Sequence, residues 1–516
     1  VQEEGENTVF WKTLPVGLNE IERIEVVKGP GSAIWGPNAF DGVVNIITKK
    51  PEDLKGTHLS VSTAEFGTIS DSLIHAGSYG LVDYKISLGY QSNALWNDPG
   101  TTGFKMGRFD GLIQYRLGSE RRIWMSGGGS DAPRFEGPLL DNGIAYSSVR
   151  RSHIQIGYED TQSFLKANWK TFGLKMNFYS YLVGTFENPV LYADETLLNF
   201  QTNSYQIEGQ HQFLVNSSWS IVAGLNYESK EVTGDLFGGK HQMQVEGGYI
   251  QNEWNPAAPV TAILGARFDH HDSESFSGDF LSPRGSLVFR FKPMRQVVRL
   301  SYSEAYRPPT PLELFQVGFT RSPNLNPEKI ASWETEYSTS FSDRISGGIS
   351  LFYNRLTDLI DYEGSPISNL TSAVIYGGEA KGEIKVFPGL KAFANYAHQK
   401  IDQSLVGITL PSSAIRAAPE EKINLGLQIN RDNGFSSRLT MNYVGKTIYP
   451  STDLVGTVVS NELDSYTLVN LAVGYRWNDQ IEITFSAFNL FNQIHREYPI
   501  GSEIGTLQLA QVNLNF

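Results

Sequence analysis

The chain has 516 residues, of which charged residues make up only 19%, with 55 acidic against 42 basic side chains. A net charge of −13 argues against a nucleic-acid partner, which needs clustered Lys and Arg. The absence of Cys excludes a disulfide scaffold and a thiolate metal site, and it suits an oxidising compartment in which stray thiols are a liability. No apolar run approaches the length of about 18 residues that a membrane helix needs.

The hydropathy of the chain leaves two classes of protein open. A mean hydropathy of −0.26 fits a soluble protein. It fits a transmembrane β-barrel equally well, because each barrel strand alternates lipid-facing apolar residues with lumen-facing polar ones. The arrangement of apolar residues along the chain therefore decides between these classes.

The first predicted elements lie in residues 21–50, IERIEVVKGPGSAIWGPNAFDGVVNIITKK. Apolar strands at Ile24–Val27 and Val43–Ile47 flank a loop rich in Gly and Pro, whose glycines permit turns that a Cβ would strain. The predicted turn residues are Gly29, Pro30, Gly36 and Gly42. An isolated hairpin is only marginally stable, so we expect this one to lean on a larger body.

From about Gly56 onward, short segments alternate apolar and polar residues and are bounded by Gly, Asn, Asp or Ser. In SYTLVNLAVGYRW, for example, Val469, Leu471 and Val473 lie on one face. Roughly 22 or 23 such segments follow from period-two alternation and turn signals, with an uncertain one between Arg150 and Lys170. The pattern predicts a chain built almost entirely of β-hairpins.

The predicted connections are of two kinds. Residues 116–122, 170–175 and 476–482 are expected to form tight turns, whereas residues 92–106, 131–148 and 449–465 are expected to form longer polar loops. Alternating short and long connections are typical of an outer-membrane barrel, whose short turns face the periplasm and whose long loops face outward.

The last predicted strand is LQLAQVNLNF, which ends the chain at Phe516. Leu514 and Val512 share a face with Phe516, whereas Asn515 and Asn513 lie on the opposite face. An aromatic C-terminal strand looks like the signal that bacterial outer-membrane barrels present to their assembly machinery. An ordinary edge strand can have the same pattern, but the repeated hairpins before it favour the membrane barrel.

The motif in residues 21–50 resembles the end of the plug domain of TonB-dependent outer-membrane receptors. The matching residues are Ile21 to Val27, Lys28-Gly29-Pro30, Trp35-Gly36, Asn38-Ala39 and Gly42 to Lys49. Residues 281–291, 301–315, 322–337, 377–387 and 488–499 each resemble barrel segments of the family in the expected order. The resemblance covers residues from about 10 to 516. It implies an all-β fold, a 22-stranded antiparallel transmembrane β-barrel (residues 53–516) with the C-terminal portion of a plug (residues 1–52) in its lumen.

The resemblance also implies a function and partners. It implies a receptor in the bacterial outer membrane that takes up a scarce nutrient, by default a ferric siderophore or another metal chelate, without a cofactor or an enzymatic activity. The implied partners are an inner-membrane energy-coupling protein of the TonB type, the nutrient and the lipopolysaccharide membrane. Haem receptors of this family carry a His in the segment that corresponds to residues 308–321, and its absence here disfavours haem.

The family's plug normally starts with a coupling segment, the TonB box, followed by several strands. Nothing of this kind precedes Trp11. We expect the full protein to carry this upstream sequence. If the plug were truncated instead, the protein would be a passive pore or a structural barrel subunit.

In the family, plug arginines and barrel glutamates form a cluster that acts like a lock. By position, Lys28 takes the place of the second plug arginine, and Glu334 and Glu383 match the barrel acids. Lys lacks the bidentate fork of Arg, so we expect a weaker lock. The alternative is that both glutamates are simply polar residues that face the lumen.

Ligand-binding candidates come from the predicted loops. They are Arg134, Arg307 and Arg321, which could donate charge-assisted hydrogen bonds to an anionic ferric chelate, and the aromatic residue Trp96. Loop salt bridges and a membrane-interface girdle are the alternative roles for these residue types. No metal site is predicted, because the adjacent His270 and His271 would point to opposite faces of a strand.

Overall fold

The structure is a computed structural model, which describes residues 9–94, 102–138, 143–181, 191–291, 295–317, 324–361, 367–405, 408–409, 418–452, 458–497 and 503–516. In this part of the chain, a short hairpin precedes a closed barrel of antiparallel strands. No helix among the described residues is long and apolar enough to cross a membrane.

The predicted hairpin is formed by β1 (Ile21–Lys28) and β2 (Gly42–Thr48), which pair in antiparallel fashion. A one-turn helix, α1 (Ser32–Trp35), lies in the loop between them. Gly29 has a φ of 77°, and a Cβ there would collide with the Glu334 carboxylate. Gly42 has a φ of 157°, and a Cβ there would lie 2.5 Å from the carbonyl oxygen of Val27. Both positions therefore require glycine.

Strands form most of the rest of the described chain, and helices are few and short. The remaining strands are β3 (Gly56–Ala64), β4 (Thr68–Tyr79), β5 (Val82–Ala94), β6 (Thr102–Arg116), β7 (Arg122–Pro138), β8 (Gly143–Glu159), β9 (Ser163–Tyr181), β10 (Leu191–Asn216), β11 (Trp219–Gly234), β12 (Gly239–Ala257), β13 (Val260–Ser273), β14 (Phe276–Phe291), β15 (Gln296–Arg307), β16 (Glu328–Ser340), β17 (Ile345–Asp361), β18 (Ser368–Phe387), β19 (Leu390–Leu405), β20 (Ile408–Thr409), β21 (Glu421–Asn430), β22 (Phe435–Val444), β23 (Thr447–Thr452), β24 (Val458–Leu463), β25 (Tyr466–Arg476), β26 (Ile481–Phe488) and β27 (Leu507–Asn515). The short helices are α2 (Pro311–Phe315) and the 3-10 turns Trp11–Thr13, Leu18–Glu20, Pro51–Asp53 and Asp235–Phe237.

The barrel has 22 strands, as predicted, counted over the described residues. Consecutive strands pair around the ring, β19 pairs with β21, β22 pairs with β25, and β27 closes the ring against β3. Strand β20 pairs only with the end of β19, and β23 with β24 forms a separate hairpin. The amide of Phe516 donates to the carbonyl of Thr57 at 2.8 Å, so the aromatic C-terminal segment is the closing strand of a barrel.

Two predicted connections are wrong. Residues 170–175 lie inside β9, and most of residues 131–148 belong to β7 and β8. Gly173 lies within β9 and Pro133 lies at a bulge in β7, so residue types that normally mark turns occur inside these strands. The uncertain stretch between Arg150 and Lys170 contains the end of β8 and the start of β9, where the Asp160 carboxylate accepts the amide of Ser163 at 2.8 Å.

The two ends of the barrel differ in their connections. The end that holds Gly56 and Phe516 has short turns, such as residues 80–81, 217–218 and 388–389. The opposite end has most of the longer connections, including residues 308–327 and 489–506. Short turns face the periplasm in bacterial outer-membrane barrels, so we assign the first end to the periplasm and the second to the extracellular side.

The outer surface carries an apolar band between two aromatic rows. Tyr302, Trp333, Tyr353 and Tyr376 stand directly opposite one another on adjacent strands and form the extracellular row. Phe341 is exposed at the periplasmic end, eight residues beyond Trp333. At a rise of about 3.3 Å per residue, this spacing is roughly 26 Å along the strand, or about 20 Å across the membrane after the usual tilt. The height of the band is therefore of the order of the apolar zone of a transmembrane barrel.

Inside the lumen, apolar side chains form a cluster near the extracellular end, here called the mouth cluster. Its buried members are Phe104, Met106, Ala132, Val149, Phe172, Phe200, Val232, Phe237, Met243, Phe276, Leu314, Phe315, Leu325, Ile360 and Ile367. Phe10 packs against it from the N-terminal segment, with its ring centroid 5.9 Å from that of Phe172. The N-terminal segment and helix α2 are thus packed onto the inner wall.

Candidate functional site

The candidate site is the set of contacts by which the β1–β2 hairpin and the segment before it are held inside the barrel. Lys28 ends β1 and reaches the wall at Glu379 on β18, where its Nζ lies 2.5 Å from both carboxylate oxygens. The side chains of Lys28 and Glu379 are 68% and 35% exposed. An ion pair in such a hydrated setting contributes only about 0–1 kcal/mol.

The predicted partners of Lys28 are placed differently. Glu383 pairs with Lys391 of the neighbouring strand at 2.8 Å, because it lies two lumen-facing positions closer to the periplasm than Glu379. Glu334 lies beside the Gly29 backbone and accepts a hydrogen bond from Ser332 at 3.3 Å. The ion pair of Lys28 is therefore made with Glu379, which corrects the predicted pairing, while Glu334 still borders the plug turn.

A second link between the hairpin region and the wall is buried. Glu20, just before β1, faces Lys85 of β5 at 3.2 Å and accepts the hydroxyl of Ser87 at 2.7 Å and the amide of Gly17 at 3.0 Å. Removing one partner of such a buried pair costs about 3–5 kcal/mol. Sequence reasoning missed this link, although alternation along β5 places Lys85 on the lumen face.

The segment before Glu20 follows the wall through polar contacts. Thr13 is buried, and its carbonyl accepts the hydroxyl of Ser130 at 2.6 Å. Its own hydroxyl accepts Nε of Arg151 at 2.9 Å. Both wall residues come from neighbouring strands, β7 and β8, so the N-terminal segment is fixed at a defined height in the lumen.

The loop between β1 and β2 docks on the end of β15. The Asn38 amide donates to the Tyr306 carbonyl at 3.3 Å, and Asn38 has a φ of 71° that Asn tolerates better than most residues. Phe40 is buried in a small cluster with Ala305 and Ile330. These contacts join the predicted turn region, including Pro30 and Gly36, to the extracellular half of the wall.

Beneath this loop lies a buried polar network. Arg267 donates to both oxygens of Asp269 at 2.8 and 2.9 Å and to Asn226 at 2.5 Å. His271 lies 2.8 Å from the hydroxyl of Tyr306. The charges of the network are paired, as buried charges require.

His270 and His271 lie on opposite sides of the wall, as the alternation argument predicts. His271 is buried on the lumen side, whereas His270 is exposed and contacts Asp279 at 2.7 Å. Among the residues that the structure describes, no three His, Asp or Glu side chains are placed to hold a metal ion.

Arg307 is held by two carboxylates. Its Nη1 and Nη2 donate to Glu313 of α2 at 3.0 and 2.9 Å, and its Nε donates to Glu328 at 2.5 Å. Glu313 also accepts the Thr310 amide in a capping box that starts α2, a T-x-x-E signal readable in the sequence. Because both acids neutralise the guanidinium, the geometry favours the structural alternative, an ion pair, for Arg307.

Helix α2 folds inward over the mouth cluster. The Phe315 ring stacks on that of His241, with a centroid distance of 3.9 Å and an interplanar angle of 6°. The Val317 amide donates to the Leu236 carbonyl at 2.8 Å. The connection after β15 therefore covers part of the lumen, and the last two residues of β15, Tyr306 and Arg307, contact the plug loop and α2.

The other predicted ligand residues are placed apart from these contacts. Arg134 is exposed on β7, directly opposite Lys105 of β6. Trp96 and Arg321 lie outside the described residues.

Comparison with known proteins agrees with this architecture. Residues 70–490 match the family model described as TonB dependent receptor-like, beta-barrel. The iron-regulated outer membrane virulence protein of Vibrio cholerae is 22% identical over 92% of this chain and 76% of its own length. The vitamin B12 transporter of Vibrio vulnificus is 23% identical over 94% of this chain and 77% of its own length.

Solved structures of low sequence identity share the fold. The FrpB iron transporter from Neisseria meningitidis has a TM-score of 0.79 at 15% identity, over 96% of this chain and 88% of that chain. The ferripyoverdine receptor of Pseudomonas aeruginosa has a TM-score of 0.79 at 14% identity, over 99% of this chain and 78% of that chain. With more than half of its residues matched by the family model, the chain belongs to the TonB-dependent receptors of the bacterial outer membrane.

Proposed function

We propose that the protein is an energy-coupled transporter that takes up a ferric siderophore or another metal chelate through the outer membrane. The observation that carries this proposal is the hairpin held across the lumen by Lys28, Glu20 and the loop contact of Asn38. A barrel of this width needs a stopper to be selective, and an occupied lumen fits gated uptake better than a passive pore. The names of the relatives, which include an iron-regulated protein and a ferripyoverdine receptor, favour iron.

The boundary between the plug and the barrel follows from the positions of the strands. We assign residues 1–52 to the plug and residues 53–516 to the barrel, since the hairpin ends at Thr48 and the first barrel strand begins at Gly56. The inner-membrane partner is an energy-coupling protein of the TonB type, as for the rest of the family. We assign no catalytic activity to the protein, because the family consists of receptors and transporters.

The two ion pairs suggest the order in which the contacts between the plug and the barrel wall break during transport. The hydrated Lys28–Glu379 pair contributes about 0–1 kcal/mol, whereas the Glu20–Lys85 pair is buried and Glu20 accepts two further hydrogen bonds, from Ser87 and Gly17. A force applied to the plug would therefore free the loop side first and leave the segment around Glu20 attached to β5. A path would then open between the loop and the strands β15–β18 that it contacts.

The ligand class is testable by a binding and uptake screen. The wild-type protein in outer membranes is titrated with ferric catecholates, hydroxamates and hydroxycarboxylates, with cobalamin as a non-iron comparison. We expect one ferric class to bind and to support uptake of radioactive iron in iron-restricted cells. Binding of cobalamin alone would contradict the choice of an iron chelate but not the transporter. A large, steady conductance in a planar bilayer would instead support the passive pore.

A further inference from the structure

Three cations and one amide lie side by side on the inner face of the wall, close to the periplasmic end of the barrel, and are here called the lumenal cationic row. Its members are Lys385 of β18, Lys391 of β19, Gln428 of β21 and Arg438 of β22. Each member stands directly opposite the next one on the neighbouring strand. Cross-strand partners of this kind share one face and one height of a sheet, so the four side chains form a continuous polar row.

The row faces the lumen, because neighbouring residues of a strand point to opposite sides of the wall. The residues next to its members, Ile384, Leu427 and Leu439, are exposed and belong to the apolar outer face. Lys385 also shares its face with Glu379, which lies six residues earlier in β18 and holds the plug hairpin. At a rise of about 3.3 Å per residue, the row lies roughly 20 Å along β18 from that contact, on the periplasmic side.

Carboxylates neutralise only part of the charge of the row. Lys391 pairs with Glu383 at 2.8 Å. Within the part of the chain that the structure describes, Lys385 and Arg438 form no ion pair. Arg438 lies instead over the Phe393 ring, with its guanidinium carbon 5.8 Å from the ring centroid. The row is therefore positively charged, with three cations against one carboxylate, although the protein as a whole carries a net charge of −13.

A cavity of about 420 Å³ opens beside the row. Its lining includes Arg344, Lys385, Phe387, Lys391, Gln428 and Asn430. Arg344 comes from the turn between β16 and β17 and adds a further exposed cation. Ligand cavities commonly have volumes of roughly 300–1,000 Å³, so this one is large enough for a charged arm of a metal chelate.

The inner wall is different where the plug covers it. At a similar height on β5 and β6, Gln114 donates to Glu52 at 3.2 Å and to Asp83 at 3.1 Å. Glu52 belongs to the turn Pro51–Asp53, which follows the plug hairpin. Among the described residues, no hydrogen bond or ion pair joins the plug to the lumenal cationic row. The acidic part of the wall thus holds the plug, whereas the cationic part faces the open lumen.

We propose that the lumenal cationic row is an exit site, which binds an anionic arm of the ferric chelate after the chelate has passed the plug loop. The inference rests on the proposed function, since the path between the loop and β15–β18 leads along β18 to the row. Lys and Arg bind carboxylate and catecholate oxygens through charge-assisted hydrogen bonds, and Gln428 supplies an amide donor. The substrate class that this site fits is a chelate with a net negative charge.

The absence of Cys in the chain allows a single fluorescent label to be placed at the cavity. Asn430→Cys carries the label in protein purified in detergent, where the periplasmic end of the barrel is open to the solution. The probe is a ferric tricatecholate, which is anionic and whose iron quenches a nearby fluorophore, and a neutral ferric trihydroxamate is the comparison. We expect saturable quenching by the tricatecholate and none by the trihydroxamate.

The variant K385Q/R438Q, made in the labelled protein, should bind the tricatecholate at least about tenfold more weakly, because a hydrogen bond to a charged group contributes on the order of that factor. K385R/R438K keeps both charges and should retain the affinity. The matched control R121Q/R295Q removes exposed cations from other periplasmic turns and should leave the affinity unchanged. The heat-dependent shift in gel mobility of barrel proteins verifies folding, and the single variants replace the double variant if it fails.

Equal quenching of the labelled wild-type protein and the folded K385Q/R438Q variant would overturn the proposal. Equal affinity for the neutral trihydroxamate would also overturn it. Complete displacement of the tricatecholate by millimolar inorganic phosphate would assign the row to small free anions and would overturn the chelate.

An uptake measurement in cells separates the exit site from the proposed function. The unlabelled K385Q/R438Q variant should bind the chelate at the cell surface as the wild-type protein does, but should take it up several times more slowly. Uptake at the wild-type rate would overturn the role as an exit site. Absence of uptake by the wild-type protein itself would overturn the proposed function and the exit role together, whereas saturable quenching at the label would still establish an anion site.

Discussion

Glu20 of the plug segment and Lys85 of strand β5 form an ion pair that is almost completely withdrawn from water. Lys85 Nζ lies 3.2 Å from Glu20 Oε2, and the side chains are 2% and 1% exposed. Two charges separated from solvent are stable only when paired and hydrogen-bonded, and Ser87 and Gly17 both donate hydrogen bonds to Oε1 of the glutamate. The pair fixes Glu20 at one position on the wall, whereas the contact of Lys28 with Glu379 is exposed to water.

Glu20→Gln should loosen the segment around residue 20. The substitution leaves Lys85 buried without a counter-charge, at a cost of about 3–5 kcal/mol. Hydrogen exchange of residues 13–20 should become correspondingly faster, while exchange in the barrel strands stays unchanged. The double variant E20L/K85M, which removes both charges, should recover most of the protection. Unchanged exchange in Glu20→Gln would show that the pair does not hold the segment.

A charge reversal identifies the wall partner of Lys28. Lys28→Glu places two carboxylates together at Glu379, so hydrogen exchange of residues 28–42 should accelerate. Glu379→Lys, added to it, should restore the protection by re-forming a pair of opposite sign. Glu383→Lys is the matched control and should not restore it, because Glu383 pairs with Lys391. Rescue by Glu383→Lys but not by Glu379→Lys would show that Lys28 pairs with Glu383, the partner predicted from the sequence.

Arg307→Met should release helix α2. Glu313 and Glu328 would lose the cation that holds both of them, and burying unpaired carboxylates costs several kcal/mol. Exchange of residues 310–317 should accelerate by at least tenfold, while the affinity for a ferric chelate changes little. A loss of chelate affinity with unchanged exchange would instead make Arg307 a ligand-binding residue.

The docking of the plug loop should depend on pH through Asp41. Partial removal from water raises the pKa of the Asp41 carboxyl above its usual 3.8; the nearby Glu328 raises it further, and Arg307 opposes both effects. A raised carboxyl pKa stabilises the docked state at low pH, and this contribution is lost as pH rises through the folded-state pKa. Hydrogen exchange of residues 28–42, corrected for the intrinsic pH dependence of amide exchange, should therefore be slower at acid pH than at a pH of about 7.

Asp41→Asn supplies the control for this pH effect. Asn resembles the protonated carboxyl, so the variant should show slow exchange at both pH values. Persistence of the full pH dependence in Asp41→Asn would assign the effect to another group.

The sequence predicted the barrel because alternation with a period of two survives in nearly every strand. It failed at residues 170–175 and 131–148, since Gly173 and Pro133 are residue types that usually mark turns but lie inside β9 and β7. The motif around Lys28 located the plug hairpin but not its partner, because the height of the hairpin in the lumen decides between Glu379 and Glu383. The Glu20–Lys85 pair joins residues far apart in the chain, and no local pattern marks it.

The most direct test of the central claim is uptake of radioactive ferric chelate into cells that produce the wild-type protein, with and without a protonophore. The account predicts uptake that saturates with chelate concentration and stops when the inner-membrane energy source is collapsed, while binding at the cell surface persists. Uptake that continues undiminished without energy would contradict gated transport and would identify the barrel as a passive pore.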